Sequence, residues 1–88
     1  MQQDFHNRRV LITGGSAGLG LAAARMMASR GARVAIAARS EDKLQAAAAA
    51  LRQDTGAEIL PVVCDVARAD DLTRLVGDVE RAFGGVDV

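Results

Sequence analysis

Aromatic side chains are scarce in this sequence, which has two phenylalanines and no tryptophan or tyrosine among its 88 residues. It has one proline, Pro61, and one cysteine, Cys64, so no disulfide can form within the chain, and the thiol is expected to be buried in a protein from a reducing compartment. Eleven basic and eleven acidic residues cancel in net charge. This balance gives no charge pattern for binding nucleic acid or an anionic membrane.

Two further absences bear on location and chemistry. No stretch approaches the roughly 18 consecutive apolar residues of a membrane span, and the first residues, Met1–Asn7, lack the basic and apolar regions of a secretory signal. We therefore expect a cytoplasmic protein without membrane partners. The single histidine, His6, has no other candidate ligands at metal-binding spacing, so no metal site is expected.

What the sequence does contain is a regular alternation of apolar patterns. Short continuous apolar runs, typical of buried strands, are each followed by a segment with apolar residues at three- and four-residue spacing. The predicted strands are residues 8–13, 33–38 and 59–64. The first predicted helix runs from Leu19 to Gly31, and the second from a Ser40 cap to about Thr55. A third helix follows the third strand and ends at Gly84–Gly85. Such an alternation predicts a parallel sheet covered by helices.

The predicted fold class is α/β, a doubly wound parallel sheet with the element order βαβαβα. Pro61 cannot donate a ladder hydrogen bond, so the third strand is expected at a sheet edge. The expected strand order is 3-2-1, with a fourth strand cut off where it would begin, at Val86–Val88 beside strand one. One face of the third helix is expected to be buried through Leu72, Leu75, Val76, Val79 and Phe83.

A glycine-rich loop, Thr13–Gly20, joins the first strand to the first helix with the sequence TGGSAGLG. Residues without Cβ let the backbone approach a ligand, and the N–H groups at the start of the next helix form a site for phosphate. The helix dipole adds about 0.3–1 kcal/mol for a bound anion. The order of strand, loop and helix therefore predicts a dinucleotide site, the alternative being a structural turn without a ligand.

Two other glycine motifs fit this loop poorly. Gly15 and Gly20 have the spacing of a P-loop, but Leu21–Ala22 follow where that motif requires lysine and a hydroxyl residue, so an NTPase is not expected. The glycines at 14, 18 and 20 give TGxxxGxG and not GxGxxG.

The loop TGGSAGLG after the strand VLI resembles the cofactor loop of the short-chain dehydrogenase/reductase family. The resemblance continues through the residues that flank the other strands: Asn7–Arg9, Arg39, Cys64–Val66 and Phe83–Asp87. It covers the whole chain but only about the first third of a family member. It implies a Rossmann fold in which residues 1–88 form the N-terminal part of a single NAD(P)-binding domain, with the catalytic and substrate-binding part absent.

The resemblance also implies roles for the glycine loop. Gly14, Gly18 and Gly20 would let the backbone pass close to the ribose and pyrophosphate of the cofactor. Ser16 would offer its hydroxyl group and Leu19 its backbone N–H.

The residues after the second strand predict which dinucleotide is bound. NAD-specific sites place an acidic residue where this chain has Ala38, whereas Arg39 and Ser40 can hold the 2′-phosphate of NADP by charge-assisted hydrogen bonds. We therefore predict NADP in preference to NAD. Ala17 stands where many NADP-preferring relatives carry a second basic residue, and the alternative for Arg39 is a solvated surface cation.

Asp65 resembles the residue that contacts the adenine amino group in the family, with the backbone of Val66 beside it. The alternative for Asp65 is a cap on the free N–H groups of the third helix.

Family chemistry depends on a Tyr-x-x-x-Lys pair with a nearby serine. Because the chain has no tyrosine, no catalytic residue is assigned, and the 88 residues alone are expected to be catalytically incomplete. The implied function is hydride transfer between NADP(H) and a small carbonyl or alcohol substrate, carried out by a full-length form that is expected to be a homo-oligomer. The alternatives are a dinucleotide-sensing module of the same fold without turnover, and a truncated product without function.

Overall fold

The computed structural model describes residues 5–88, and these residues alternate between strands and helices as the sequence predicts. The elements are β1 (Arg9–Thr13), α1 (Gly18–Ser29), β2 (Arg33–Ala38), α2 (Glu41–Thr55), β3 (Ile59–Val63) and α3 (Ala69–Phe83). None of these helices is long and apolar enough to cross a membrane.

The three strands form one parallel sheet in the order β1-β2-β3, which confirms the predicted order. Val10 of β1 pairs with Val34 of β2, which in turn pairs with Ile59 of β3. Pro61 therefore lies in a strand with no neighbour on its outer side within the described sheet, where its missing N–H costs no ladder hydrogen bond.

Alternate residues of the central strand face opposite sides of the sheet and build two cores. Val34 and Ile36 pack against α1 and α2, together with buried residues such as Leu44 and Leu51. On the other side, the small residues Ala35 and Ala37 pack with α3. Apolar contacts with the sheet thus hold all three helices in place. The carboxyl ends of the parallel strands are left uncovered.

The predicted apolar face of α3 is only partly correct. Leu75, Val79 and Phe83 are buried against the sheet, but Leu72 and Val76 are exposed by 38% and 44%. Residues three and four apart span a stripe wider than the one that a single flat sheet covers. Leu72 and Val76 therefore lie on the flank of the helix.

The predicted helix ends are largely confirmed by local geometry. The Ser40 side chain accepts a hydrogen bond from the Lys43 N–H at 3.5 Å and caps α2. Gly56 and Gly84 follow α2 and α3 in the left-handed conformation, with φ of 70° and 84°, which side chains with a Cβ rarely adopt.

The last residues of the chain lie beside the free edge of β1. The Leu11 N–H donates to the Val88 carbonyl at 2.9 Å, and the Asp87 N–H donates to the Arg9 carbonyl at 2.7 Å. The Asp87 carboxylate accepts hydrogen bonds from the Arg9 backbone N–H, at 2.8 Å, and from Nε and Nη2 of its guanidinium, at 3.0 and 3.1 Å. The last residues therefore pair with β1 at the position where the sequence predicts that a fourth strand begins.

The Arg9–Asp87 pair should make stability fall at acid pH. The hydrogen bonds from Arg9 lower the pKa of Asp87 from 3.8 to about 2. Because the folded pKa is the lower one, this stabilisation is complete above pH 3.8 and is lost as the pH falls toward 2. We expect Asp87→Asn to lower the thermal midpoint at pH 7 and to reduce its decrease between pH 4 and pH 2, measured by circular dichroism. Arg9→Gln should have the same effect; an unchanged acid dependence in both variants would contradict this assignment.

Candidate functional site

Two glycines of the loop, one near each end, have a backbone that is open to solvent. Gly14 and Gly18 have φ of 70° and 59°, and a Cβ on either residue would meet no atom within 4 Å. The backbone of both residues is therefore accessible to a ligand, and only the conformation disfavours a side chain there. The loop is tied to the sheet where the Gly14 N–H donates to the Ala37 carbonyl at 2.8 Å.

The other two glycines of the loop are required by packing within the chain. A Cβ on Gly20 would lie 2.2 Å from the carbonyl oxygen of Gly14, and a Cβ on Gly15 would lie 2.7 Å from two side-chain atoms of Ile36. Gly20 was predicted to allow a close cofactor approach, but the contact it permits here is between loop and helix. Gly15 was not predicted as a site residue, because its contact with β2 joins residues far apart in the chain.

The start of α1 differs from the starts of the other helices. Its N-cap residue, Ala17, makes no side-chain cap, and its first turn contains no acidic residue. In contrast, α2 begins with Glu41 and Asp42, and α3 has Asp70 and Asp71 in its first turn. The positive end of the α1 dipole is therefore left without a negative charge from its own first turn.

A pocket of about 330 Å³ lies beside the loop, at the carboxyl ends of the strands. It brings together four of the predicted residues with four others and is lined by Gly14, Ala37, Ala38, Arg39, Cys64, Asp65, Val66 and Ala67. Ser16, Gly18, Leu19, Gly20 and Ser40 do not line it. Apart from Ser40, these residues belong to the loop and the first turn of α1, where the Leu19 side chain is 90% exposed.

Asp65 does not cap α3, so that alternative is wrong. Helix α3 begins at Ala69, and its N-cap residue, Arg68, makes no side-chain cap. Asp65 Oδ1 accepts instead from the Ala67 N–H at 3.0 Å, within the loop that precedes the helix. Oδ2 has no hydrogen-bond partner among residues 5–88 and remains an acceptor at the pocket.

Arg39 is exposed on the pocket rim directly after β2. Within the described part of the chain, its guanidinium makes no ion pair or hydrogen bond. Ala38 before it carries no charge, so the Arg39 guanidinium is the cationic group of the pocket lining and can contact an anionic group.

Cys64 is buried, as predicted, but it also lines the pocket. Burial, with a smaller contribution from the negative charge of Asp71, raises the pKa of the thiol, which favours its protonated form. Its position was predictable in principle, because Cys64 and Arg39 follow neighbouring parallel strands whose carboxyl ends share one edge of the sheet.

A second pocket, of about 370 Å³, lies near the amino ends of the strands and includes His6, Arg33 and Glu58 in its lining. None of the predicted site residues lines it. In doubly wound sheets, ligands bind at the carboxyl ends of the strands, so the pocket beside the glycine loop is the better candidate.

Comparisons with known proteins show which family the chain resembles. The family model described as short chain dehydrogenase matches residues 8–88. A glucose 1-dehydrogenase from Gluconobacter oxydans (strain 621H) is 42% identical over 84 residues, which cover 96% of this chain and 32% of that protein. Dehydrogenase/reductase SDR family member 4 from Oryctolagus cuniculus is 37% identical over 82 residues, covering 93% of this chain and 31% of the relative.

Solved structures of dehydrogenases and reductases are also similar to this chain. L-sorbose reductase from Gluconobacter frateurii, complexed with NADPH and L-sorbose, superposes with a TM-score of 0.94 at 37% identity, over 99% of this chain and 33% of that one. An NAD+-bound xylitol dehydrogenase has a TM-score of 0.91 at 32% identity, over 96% of this chain and 32% of that one. The 88 residues thus span about a third of the length of the proteins they match.

Proposed function

Because the chain belongs to the short-chain dehydrogenase family, we propose that residues 1–88 form the N-terminal part of a single Rossmann domain that binds a nicotinamide dinucleotide. The observation that carries this proposal is the solvent-exposed glycine loop at the start of α1, where no acidic residue of the first turn offsets the positive end of the helix dipole. Gly14 and Gly18 leave space that a Cβ would occupy, and α1 offers N–H groups without an acidic residue in its first turn. These features suit a diphosphate group.

Each predicted residue has a place in this arrangement. Backbone N–H groups of the loop and of Leu19, with the Ser16 hydroxyl, would hold the diphosphate and the adenosine ribose. The free Oδ2 of Asp65 would accept a hydrogen bond from the adenine amino group, with the backbone of Val66 alongside. Gly20 keeps the loop closed against the helix by leaving room for the Gly14 carbonyl.

We further propose that the dinucleotide is NADP. Support comes from Arg39, which lies on the pocket rim without a partner among residues 5–88, and from Ala38, which cannot accept a hydrogen bond from a ribose hydroxyl through its side chain. The related L-sorbose reductase was solved with NADPH and the related xylitol dehydrogenase with NAD+, so both cofactors occur among similar proteins.

The reaction proposed for the whole protein is hydride transfer involving a carbonyl or alcohol substrate. A bound nicotinamide ring supplies the hydride acceptor or donor. The relatives include a glucose dehydrogenase and an L-sorbose reductase, which points to small polyhydroxy substrates. Since the 88 residues contain no tyrosine, their proposed contribution is to bind and orient the cofactor, and proton transfer is not assigned to them.

Titration of NADPH into the isotope-labelled chain, followed by amide NMR spectra, tests the site. We expect the largest shifts at Gly14–Gly20 and at Arg39, Asp65 and Val66. Shifts confined to the pocket around His6 and Glu58, or no shifts at saturating NADPH, would overturn the proposed function.

Arg39→Ala tests the cofactor preference. The variant should bind NADPH about 10- to 100-fold more weakly, since a charge-assisted hydrogen bond contributes about 1.5–3 kcal/mol and each 1.4 kcal/mol is tenfold in affinity. Binding of NADH should change by no more than about twofold, as for an ordinary surface substitution. Fluorescence titration of both cofactors measures this difference.

Arg8→Ala is a matched control, because it removes an exposed arginine from before β1, away from the pocket. It should leave both affinities unchanged. Equal losses of NADPH and NADH binding in Arg39→Ala would refute a 2′-phosphate contact.

A further inference from the structure

We propose that Asp71, in the first turn of α3, is a positioning residue for the pocket. Its Oδ2 accepts a hydrogen bond from the backbone N–H of Asp65 at 3.0 Å. This contact reaches back from the helix to the residue proposed to bind adenine. The inference rests on the proposed function, because the value of a fixed Asp65 lies in what Asp65 binds.

Two side chains of α3 hold the end of β3 and the loop after it. Arg74 Nη2 donates to the Val63 carbonyl at 2.8 Å and lies 3.7 Å from Asp71 Oδ1. The two side chains therefore bind the backbone on either side of Cys64. Asp71 accepts from the N–H of the residue after it, and Arg74 donates to the carbonyl of the residue before it. The two side chains are partly exposed and opposite in charge, so their attraction favours the positions in which both contact the backbone.

The remaining groups of Asp65 are also engaged. Its carbonyl accepts from the Arg68 N–H at 3.0 Å, and its Oδ1 accepts from the Ala67 N–H. With the N–H held by Asp71, one oxygen, Oδ2, is left for a ligand. Without Asp71, the Asp65 N–H would lose its acceptor, and the direction of the Asp65 side chain would be less well defined.

A role in positioning differs from a general charge effect at the helix start. Asp70 is the neighbouring first-turn carboxylate, and it makes no bond to the loop among the described contacts. Asp70→Ala therefore removes a charge from the same helix end and leaves the Asp65 contact intact. Asp71→Asn keeps an oxygen acceptor but removes the charge, whereas Asp71→Ala removes both.

The first measurement needs no cofactor. Hydrogen exchange of the Asp65 amide, followed by NMR in the 88-residue chain, should become about tenfold faster in Asp71→Ala, because a hydrogen bond to a charged group contributes at least about that factor. Exchange should stay close to the wild-type rate in Asp70→Ala and should take an intermediate rate in Asp71→Asn, which keeps a neutral acceptor. If the Asp65 amide exchanges at the same rate in Asp71→Ala as in the wild type, the inference is wrong.

The second measurement links the loop to binding. NADPH affinity should fall about tenfold in Asp71→Ala, by less in Asp71→Asn, and least in Asp70→Ala. Equal losses in Asp70→Ala and Asp71→Ala would show a charge effect and overturn the positioning role. If the wild-type chain does not bind NADPH, the proposed function fails, while amide exchange still decides whether Asp71 holds the loop.

A last variant covers the case in which Asp71→Ala does not fold, as judged by circular dichroism. Asp71→Glu keeps the charge and moves the carboxylate outward by one methylene group. It should raise the exchange rate of the Asp65 amide, and an unchanged rate would overturn the inference.

Discussion

Replacing Gly20 with alanine should destabilise the chain and abolish dinucleotide binding, although alanine is the better helix former. A Cβ at this position would lie 2.2 Å from the Gly14 carbonyl oxygen and 2.8 Å from its carbon. Both atoms belong to the backbone of the glycine loop, so the loop itself must move. We expect a loss of about 1–3 kcal/mol in the free energy of unfolding, typical of overpacking, and more if the loop cannot adjust.

Gly77→Ala is the matched control, because Gly77 lies within α3 and its Cβ would meet only the end of the Arg81 side chain at 3.4 Å. There the substitution should stabilise the chain by about 0.5–1 kcal/mol through helix propensity and reduced entropy of the unfolded state. Urea unfolding followed by circular dichroism measures both changes. The two glycines should thus respond with opposite signs, and a Gly20→Ala chain as stable as the wild type would contradict the contact.

Most of the fold follows from local sequence signals. Strands and helices alternate where continuous apolar runs and helical repeats alternate, and the helices end near glycines such as Gly56 and Gly84. The edge position of β3 was predictable from Pro61 alone, because proline has no N–H to donate to a neighbouring strand. The apolar face of α3 was overestimated because periodicity gives the width of an apolar stripe but not how much of it the sheet covers.

The candidate site was predictable to a smaller extent. The glycine spacing and the strand ends indicate which loops meet, and Gly14, Arg39, Asp65 and Val66 do line one pocket. The sequence does not separate glycines that face open space from those that contact the chain, since all of them lack the same Cβ.

Contacts between distant elements were the hardest to predict. Asp71 resembles an ordinary first-turn acid until its bond to Asp65 is seen. In the same way, Arg33 in β2 donates to the Phe83 carbonyl at 2.9 Å, and its guanidinium carbon lies 5.1 Å from the centre of the Phe83 ring. Both contacts depend on how α3 packs on the sheet, and local patterns do not give that orientation.

Two leucines one turn apart on α3 should respond very differently to alanine. Leu75 is 1% exposed and packs against the sheet, whereas Leu72 is 38% exposed on the flank of the helix. Leu75→Ala should cost about 2–5 kcal/mol, since it removes buried methyl groups and leaves a cavity. A chain of this length has a total stability on the order of 4–13 kcal/mol, so this variant should lose much of its folded population.

Leu72→Ala makes the same chemical change on the same helix, and its cost should be below about 1 kcal/mol because the side chain is already partly hydrated and alanine favours the helix. Urea midpoints of the two variants, compared with the wild type, separate burial from helix propensity. Similar losses in both variants would mean that Leu72 is covered in solution, for instance by self-association, and dilution would then reduce the loss in Leu72→Ala. A difference that does not change with protein concentration is the result expected if α3 buries only Leu75, Val79 and Phe83.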